Sequence, residues 1–264
     1  MNEGTDRDDA VITANPAPSA RESIARIART ITERPVYFVM TKAAQYPWLA
    51  LPLARFRGEG ELVDESTDIL IESFPRCASS FAVAAFQMAQ EPRRVRVAFQ
   101  THAPGHVIAA VRRRIPALVL IREPQDVIVS NLVRHPERGV NGLLRGFLRF
   151  YEPLMQHRSG FVVATFREVV GGGFGSVTRR VNERFRTSFS EFEATDANVQ
   201  RLFKEIDAEW ERRRGGRIER LERIVPRPSK LREGMKERLV RQYRATASPR
   251  LRDRAQDVYD SLAD

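Results

Sequence analysis

Short apolar runs alternate with longer helix-patterned segments through the middle of the chain. "TDILIESF" (67–74) reads as a strand, and "SSFAVAAFQMAQ" (79–90) as an alanine-rich helix opened by its serines. "RVRVAFQTH" (94–102) gives a second strand, followed by the helix "PGHVIAAVRRR" (104–114). "IPALVLIRE" (115–123) is apolar almost throughout, as a strand covered on both faces is, and "PQDVIVSNLVRH" (124–135) turns from it into a helix. A longer helical stretch covers 140–157 and a fourth strand, "GFVVATF", covers 160–166. A glycine-rich loop then leads to the helix "SVTRRVNERF" (176–185). Strands alternating with helices predict βαβ units: an α/β fold with a central, mainly parallel sheet flanked by helices, in three layers. Beyond Asp196 the chain is helical and charged, with one break at "VPRPSK" (225–230). Upstream, Ile24, Ile27 and Ile31 mark a helix over 21–34, and the polar residues 1–20 are expected to be mobile. One domain is therefore expected over 21–264, with a helical C-terminal part at 197–264.

The apolar run at 36–56 is interrupted by Lys42, Pro47, Pro52 and Arg55, so it makes a poor transmembrane helix. Its pattern favours a core helix pair over an interfacial anchor and leaves peripheral membrane contact open. Composition narrows the picture further. The 264 residues are 42% apolar and 30% charged, which suits a globular protein. The net charge is +10, and of the 44 cationic side chains only Lys42, Lys204, Lys230 and Lys236 are lysines. Arginine's planar fork suits bidentate contacts to phosphate or sulfate, although a general arginine bias gives the same ratio. The arginines recur beside Glu and Asp along helices and form no basic tail, so no nucleic-acid partner is expected. Cys77 is the only cysteine, which excludes an intrachain disulfide and a cysteine-built zinc site. That usage fits a reducing, cytoplasmic setting, and the acidic N-terminus lacks a secretion-signal pattern. The four histidines show no metal-binding spacing, so no metal is expected.

In parallel α/β folds, ligands sit beyond the carboxyl ends of the strands, where helix N-termini point. The candidate stretches are thus 75–81, 101–105, 122–130 and 166–168. Arg76, with Ser79 and Ser80 at a helix start, can cradle a phosphate, and two serines there can equally be a plain N-cap. Arg122 stands at the third strand's tip, Pro124 suits the turn, and Asp126 suits the helix cap. Ser130 returns toward Arg122 after one helical turn, so the pair is either a second anion site or a capped helix with a surface arginine. His102 directly follows the second strand and suits either a base for a substrate hydroxyl or a hydrogen-bonded strand end. His106 is expected to face solvent or substrate. "GGGFGS" (171–176) lacks the lysine and the order of a nucleotide loop and reads as a flexible connection. Phe147, Phe150 and Tyr151, at helical spacing, read as core or as the wall of an acceptor pocket.

Several of these stretches, taken in order, resemble the motif set of sulfotransferases that use 3′-phosphoadenosine 5′-phosphosulfate (PAPS), in the shorter bacterial form. "FPRCASSF" (74–81) is similar to the family's Tyr/Phe-Pro-Lys/Arg-Ser-Gly-Thr/Ser-Thr/Ser loop. "THAP" (101–104) is similar to its Thr-His-x-Pro, and "LVLIREPQDVIVS" (118–130) to its apolar strand and Arg-x-Pro-x-Asp-x-x-x-Ser. "VVATFREVV" (162–170) before "VTRRVNERF" (177–185), and "RPSKLR" (227–232), complete the set, which spans 67–239. The resemblance implies a P-loop-type fold and PAPS as sulfuryl donor, with no metal. Arg76, Cys77, Ala78, Ser79, Ser80 and Phe81 would hold the 5′-phosphosulfate, Arg122 and Ser130 the 3′-phosphate, and Phe166 the adenine. Arg76 would stabilise the leaving group and His102 would serve as base. The implied acceptor is a hydroxyl or amine of a small molecule, lipid or carbohydrate.

Cys77 and Ala78 stand where the family has Ser and Gly, and alanine disfavours a positive φ. The Arg-Lys-Gly…Gly-Asp-Trp segment of the cytosolic animal enzymes is absent, which leaves its anion contacts to Arg227, Lys230 or Arg232. Glu72 and Glu123 compete with His102 as base. Two other readings stay open: a P-loop kinase-like phosphotransferase, against which the missing Gly-Lys-Ser/Thr counts, and a non-catalytic nucleotide-binding homologue.

Overall fold

The computed structural model of the protein describes residues 45–57, 60–214 and 230–264. The expected mobile segment 1–20, the helix at 21–34, residues 36–44 and Arg227 lie outside the described residues. The four apolar runs form one sheet of β1 (Ile69–Ser73), β2 (Val97–Phe99), β3 (Ala117–Ile121) and β4 (Val162–Thr165). Its order is β2-β1-β3-β4 and every pairing is parallel, with Ile71 opposite Phe99, Ser73 opposite Leu120 and Ile121 opposite Thr165. An isolated antiparallel bridge joins Glu61 to Phe99 at the sheet edge. Every residue of β1 and β3 is buried, which is why both read as near-continuous apolar runs. Glu72 is the one charged residue inside them.

The helices are α1 (Pro47–Arg57), α2 (Ser79–Gln90), α3 (Pro104–Arg112), α4 (Pro124–Arg134) and α5 (Val140–Met155). They continue as α6 (Phe166–Val170), α7 (Phe174–Phe185), α8 (Asp196–Arg214), α9 (Lys230–Thr246) and α10 (Pro249–Ala263). From β1 the chain crosses through α2 to β2 on one side, then through α3 to β3 on the other. Right-handed crossovers in opposite directions require α2 and α3 to cover opposite faces. α2 packs on β1, β2 and α8, whereas α3 packs on β1, β3, α1 and α5. This is the expected α/β architecture of a parallel sheet flanked by helices. The reversal opens a crevice beyond the carboxyl ends of β1 and β3, where such folds bind ligands.

Some boundaries differ from the sequence reading. The second strand stops at Phe99, because Gln100 and His102 adopt positive φ of 64° and 51° and so leave the ladder. Phe166 does not end the fourth strand. Thr165 caps α6 in a capping box with Glu168, so Phe166 is the first residue of a helix. Helix α7 begins at Phe174, inside the glycine-rich stretch. α1 is only half a core helix: Ala50 and Ala54 are buried while Trp48, Leu49 and Phe56 are exposed. Among the described residues no helix is long and apolar enough to cross a membrane.

Phe147, Phe150 and Tyr151 all belong to the core. The Tyr151 hydroxyl accepts from the Phe74 N–H at 3.3 Å and donates to the Leu120 carbonyl at 2.7 Å, which fastens α5 to the ends of both β1 and β3. Tyr151→Phe strands these buried backbone groups and is expected to cost about 1–3 kcal/mol. Urea denaturation monitored by circular dichroism checks this.

Candidate active site

The turn from β1 into α2 is held in an unusual backbone conformation. Arg76 has φ 77° and Ala78 φ 71°, both left-handed, on either side of Cys77. A non-glycine residue in this region costs about 1–2 kcal/mol, so neighbouring groups must impose it. They come from β3 and α4. Asn131 Nδ2 donates to the Pro75 carbonyl at 3.1 Å, and Arg122 Nη1 donates to the Arg76 carbonyl at 3.2 Å. Arg76 Nε donates to Ser130 Oγ at 3.1 Å. The two predicted anion clusters are therefore a single assembly.

Ala78, not a serine, is the N-cap of α2, and it makes no side-chain cap bond. Ser79 and Ser80 are the first two helical residues, so the plain capping reading does not hold for them. The N–H groups of this first turn, which have no intrahelical acceptors, lie at the carboxyl end of β1. Ser80 Oγ takes a 3.4 Å hydrogen bond from Gln100 Nε2, and Ser79 is buried. Phe81 turns its ring onto Phe192 and Phe203, with centroids 6.5 and 6.0 Å away. Its backbone is thus what it offers a ligand. Cys77 points into the core, with Sγ 3.5 Å from the Tyr151 hydroxyl. Burial pushes its thiol up to about 12, so it stays protonated and is no nucleophile.

Arg122 leaves the tip of β3 and stacks on Phe166, with Cζ 3.8 Å from the ring centroid. Its Nε is buried with no hydrogen-bond partner among the described residues. Burial lowers the guanidinium's pKa, partly offset by the charge of Asp126. Asp126 is not the cap of α4. Glu123 holds that position without a side-chain bond, and Asp126 lies in the first turn. Glu123 Oε2 instead accepts a 3.4 Å hydrogen bond from Gln256 of α10.

His102 stands just beyond β2 with its side chain one-third exposed. Its Nδ1 lies 2.7 Å from the Ser73 carbonyl, which can only accept, so Nδ1 carries the proton and Nε2 keeps a lone pair. Behind it lies Glu72, fully buried, with Oε1 3.7 Å from the same Nδ1. Glu72 Oε2 accepts from Thr101 N–H at 3.0 Å, from Thr101 Oγ1 at 2.8 Å and from His106 Nδ1 at 3.0 Å. His106 is completely buried, contrary to the expectation that it faces solvent or substrate. Val63 N–H donates to its Nε2 at 2.9 Å, which places its proton on Nδ1, aimed at Glu72. Burial alone would push the Glu72 carboxyl up. The His106 hydrogen bond, the electrostatic pull of the His102 and His106 rings and the Thr101 hydrogen bond outweigh it and hold the group below its ordinary value.

Arg76, Ser130, Arg122 and Phe166 are thus brought together, and His102 joins them through the end of β1. Asn131 was not identified from sequence, nor was the supporting role of Tyr151, Thr101 and His106. The legible signal was Glu72 itself, a charge inside a fully apolar strand, since buried carboxylates are rarely left unpaired. Of the substitutes for the missing segment, Arg227 and the side chains at 230 and 232 lie outside the described residues.

No family model matches the chain, and no curated protein matches it. Among solved structures, the chain is similar to mouse sulfotransferase SULT7A1 complexed with PAP, at 9% identity and a TM-score of 0.40. The match covers 75% of this chain and 84% of that one.

Because the folded Glu72 pKa lies below its unfolded value of about 4.5, the carboxylate contributes stability that is present above that value. The contribution is lost as pH falls through the folded pKa. Glu72→Gln is expected to destabilise the protein by about 1–3 kcal/mol at neutral pH and to flatten the acid limb of the stability profile. Urea midpoints taken from neutrality down through the carboxylate range check both.

Proposed function

We propose that the protein is a sulfotransferase that takes a sulfuryl group from PAPS and delivers it to a hydroxyl or amine of a small-molecule, lipid or carbohydrate acceptor. The observation that carries this reading is the joining of two arginine-bearing strand ends at the reversal point of a parallel sheet. Arg76 is bonded to Ser130, and Arg122 to the Arg76 carbonyl. The chain's own residues fit an anionic occupant. Among the described residues Arg122 Nε is a buried donor without an acceptor, the kind of group an oxyanion would satisfy. Positive φ at 76 and 78 around Cys77 is the alternation that turns successive N–H groups inward, as in anion-binding nests.

On this reading Arg76 and the backbone of Cys77, Ala78, Ser79, Ser80 and Phe81, with the two serine hydroxyls, hold the 5′-phosphosulfate. Arg122 and Ser130 hold the 3′-phosphate, and Phe166 lies against the adenine. When bound, PAPS supplies a sulfuryl group already activated by its phosphate leaving group. Arg76 stabilises the charge that gathers on the departing oxygens. His102 takes the acceptor's proton on Nε2, because the Ser73 carbonyl holds Nδ1–H in the tautomer that leaves Nε2 basic. Glu72 is shut from solvent, so it acts through His102 as a positioning residue, steadying the imidazolium from 3.7 Å. The burial of Glu72 favours His102 as the group that meets the acceptor.

Thermal shift with 3′-phosphoadenosine 5′-phosphate (PAP), against ATP with magnesium, tests the donor. PAP is expected to stabilise the protein, and stabilisation by ATP with magnesium alone would point to a phosphotransferase instead. Arg122→Ala is expected to weaken PAP binding about tenfold to a hundredfold, the worth of one charged hydrogen bond. His102→Ala is expected to retain PAP binding and to lower turnover about 10²- to 10⁴-fold. Turnover is read as the mass gain of one SO₃ group on compounds of a cell extract incubated with PAPS. PAP binding with no sulfated product from any extract would indicate a non-catalytic homologue.

A further inference from the structure

The described residues leave five large apolar side chains exposed: Tyr46, Trp48, Leu49, Phe56 and Val170. Three of them are on α1, and Tyr46 directly precedes it. Trp48 is 73% exposed and Phe56 90%. Within the helix, positions 48, 52 and 56 recur at intervals of four and share one side, and Leu49 and Arg55 flank that arc. Ala50 and Ala54 lie on the opposite side, both 5% exposed, and α1 packs against α3. The helix therefore buries its smallest apolar residues and turns its largest ones outward. A helix that merely covered a core would do the reverse.

The charge on this arc is positive. Arg55, at its edge, is exposed. The whole chain carries +10. A strongly cationic protein is repelled by its own copies and attracted to an anionic surface. Tryptophan and tyrosine combine an apolar body with a polar edge and favour the headgroup region of a bilayer. At 11 residues, with Pro52 inside it, α1 is too short to span a membrane and suits lying in the interfacial plane.

We propose that α1 docks the protein onto an anionic lipid bilayer. Trp48 and Phe56 enter the boundary between headgroups and acyl chains, and Arg55 meets the lipid phosphates. α3, on which α1 rests, begins at Pro104, two residues after His102, so the docking helix is packed on the helix that follows the candidate base. The docking does not depend on the transferase reading, because it uses none of the residues assigned to the site.

The test is vesicle flotation with the full chain, comparing phosphatidylcholine alone with phosphatidylcholine containing phosphatidylglycerol. The chain has two tryptophans, so Trp210→Phe leaves Trp48 as the sole tryptophan reporter. The expected result is flotation with the anionic vesicles, weakened by salt, and a blue shift of Trp48 emission on binding. The double variant Trp48→Ser, Phe56→Ser is expected to reduce the bound fraction by at least about tenfold. Its thermal unfolding midpoint should not change, since both side chains are exposed. Unshifted emission with anionic vesicles would overturn the proposal, as would equal flotation of the double variant. A dimer that the double variant splits, with no vesicle binding by either protein, would assign the face to a second copy of the chain instead.

Discussion

The candidate site depends on one constraint, the grip of β3 and α4 on the turn that leaves β1. Two residues of that turn, Arg76 and Ala78, sit in backbone conformations that a side chain resists. Local preference alone would relax them. They persist because Asn131, Ser130 and Arg122 reach across from the neighbouring strand end and occupy the turn's carbonyls and the Arg76 guanidinium. The strain and its restraint together hold the start of α2 and two guanidinium groups at neighbouring strand ends. A site assembled in this way is as rigid as the sheet beneath it, because Tyr151 fastens the same turn to β3 from below.

A second buried assembly divides the work between core and surface. Glu72 carries a charge into a strand that is otherwise wholly apolar, and it is tolerated only because Thr101 and His106 satisfy one of its oxygens completely. The other oxygen faces His102, whose ring is pinned by the Ser73 carbonyl and reaches solvent on its far side. The two histidines, close in sequence, thus have opposite fates. His106 is a structural donor in the dark interior, whereas His102 is presented at the rim. Spacing does not distinguish them. What separates them is backbone context: His102 takes a positive φ in the turn beyond β2, whereas His106 lies within α3.

The alternation of apolar runs and helical segments determined the architecture without help from tertiary contacts. Runs such as "ALVLI" have no stable alternative to a doubly covered strand, and the serines at 79 and 80 marked a helix start to the residue. The residue types after β1 and β3, an arginine followed by serines at each, marked those two tips as the candidates for an anion site. Tertiary structure alone decided how those tips combine. The left-handed backbone at 76 and 78, the bond from Arg76 to Ser130, the stacking of Arg122 on Phe166 and the burial of His106 all join residues far apart in the chain. The outward face of α1 was hidden for the same reason. An apolar run records how much a segment prefers to leave water, and which side of the helix finds a partner depends on what folds against it.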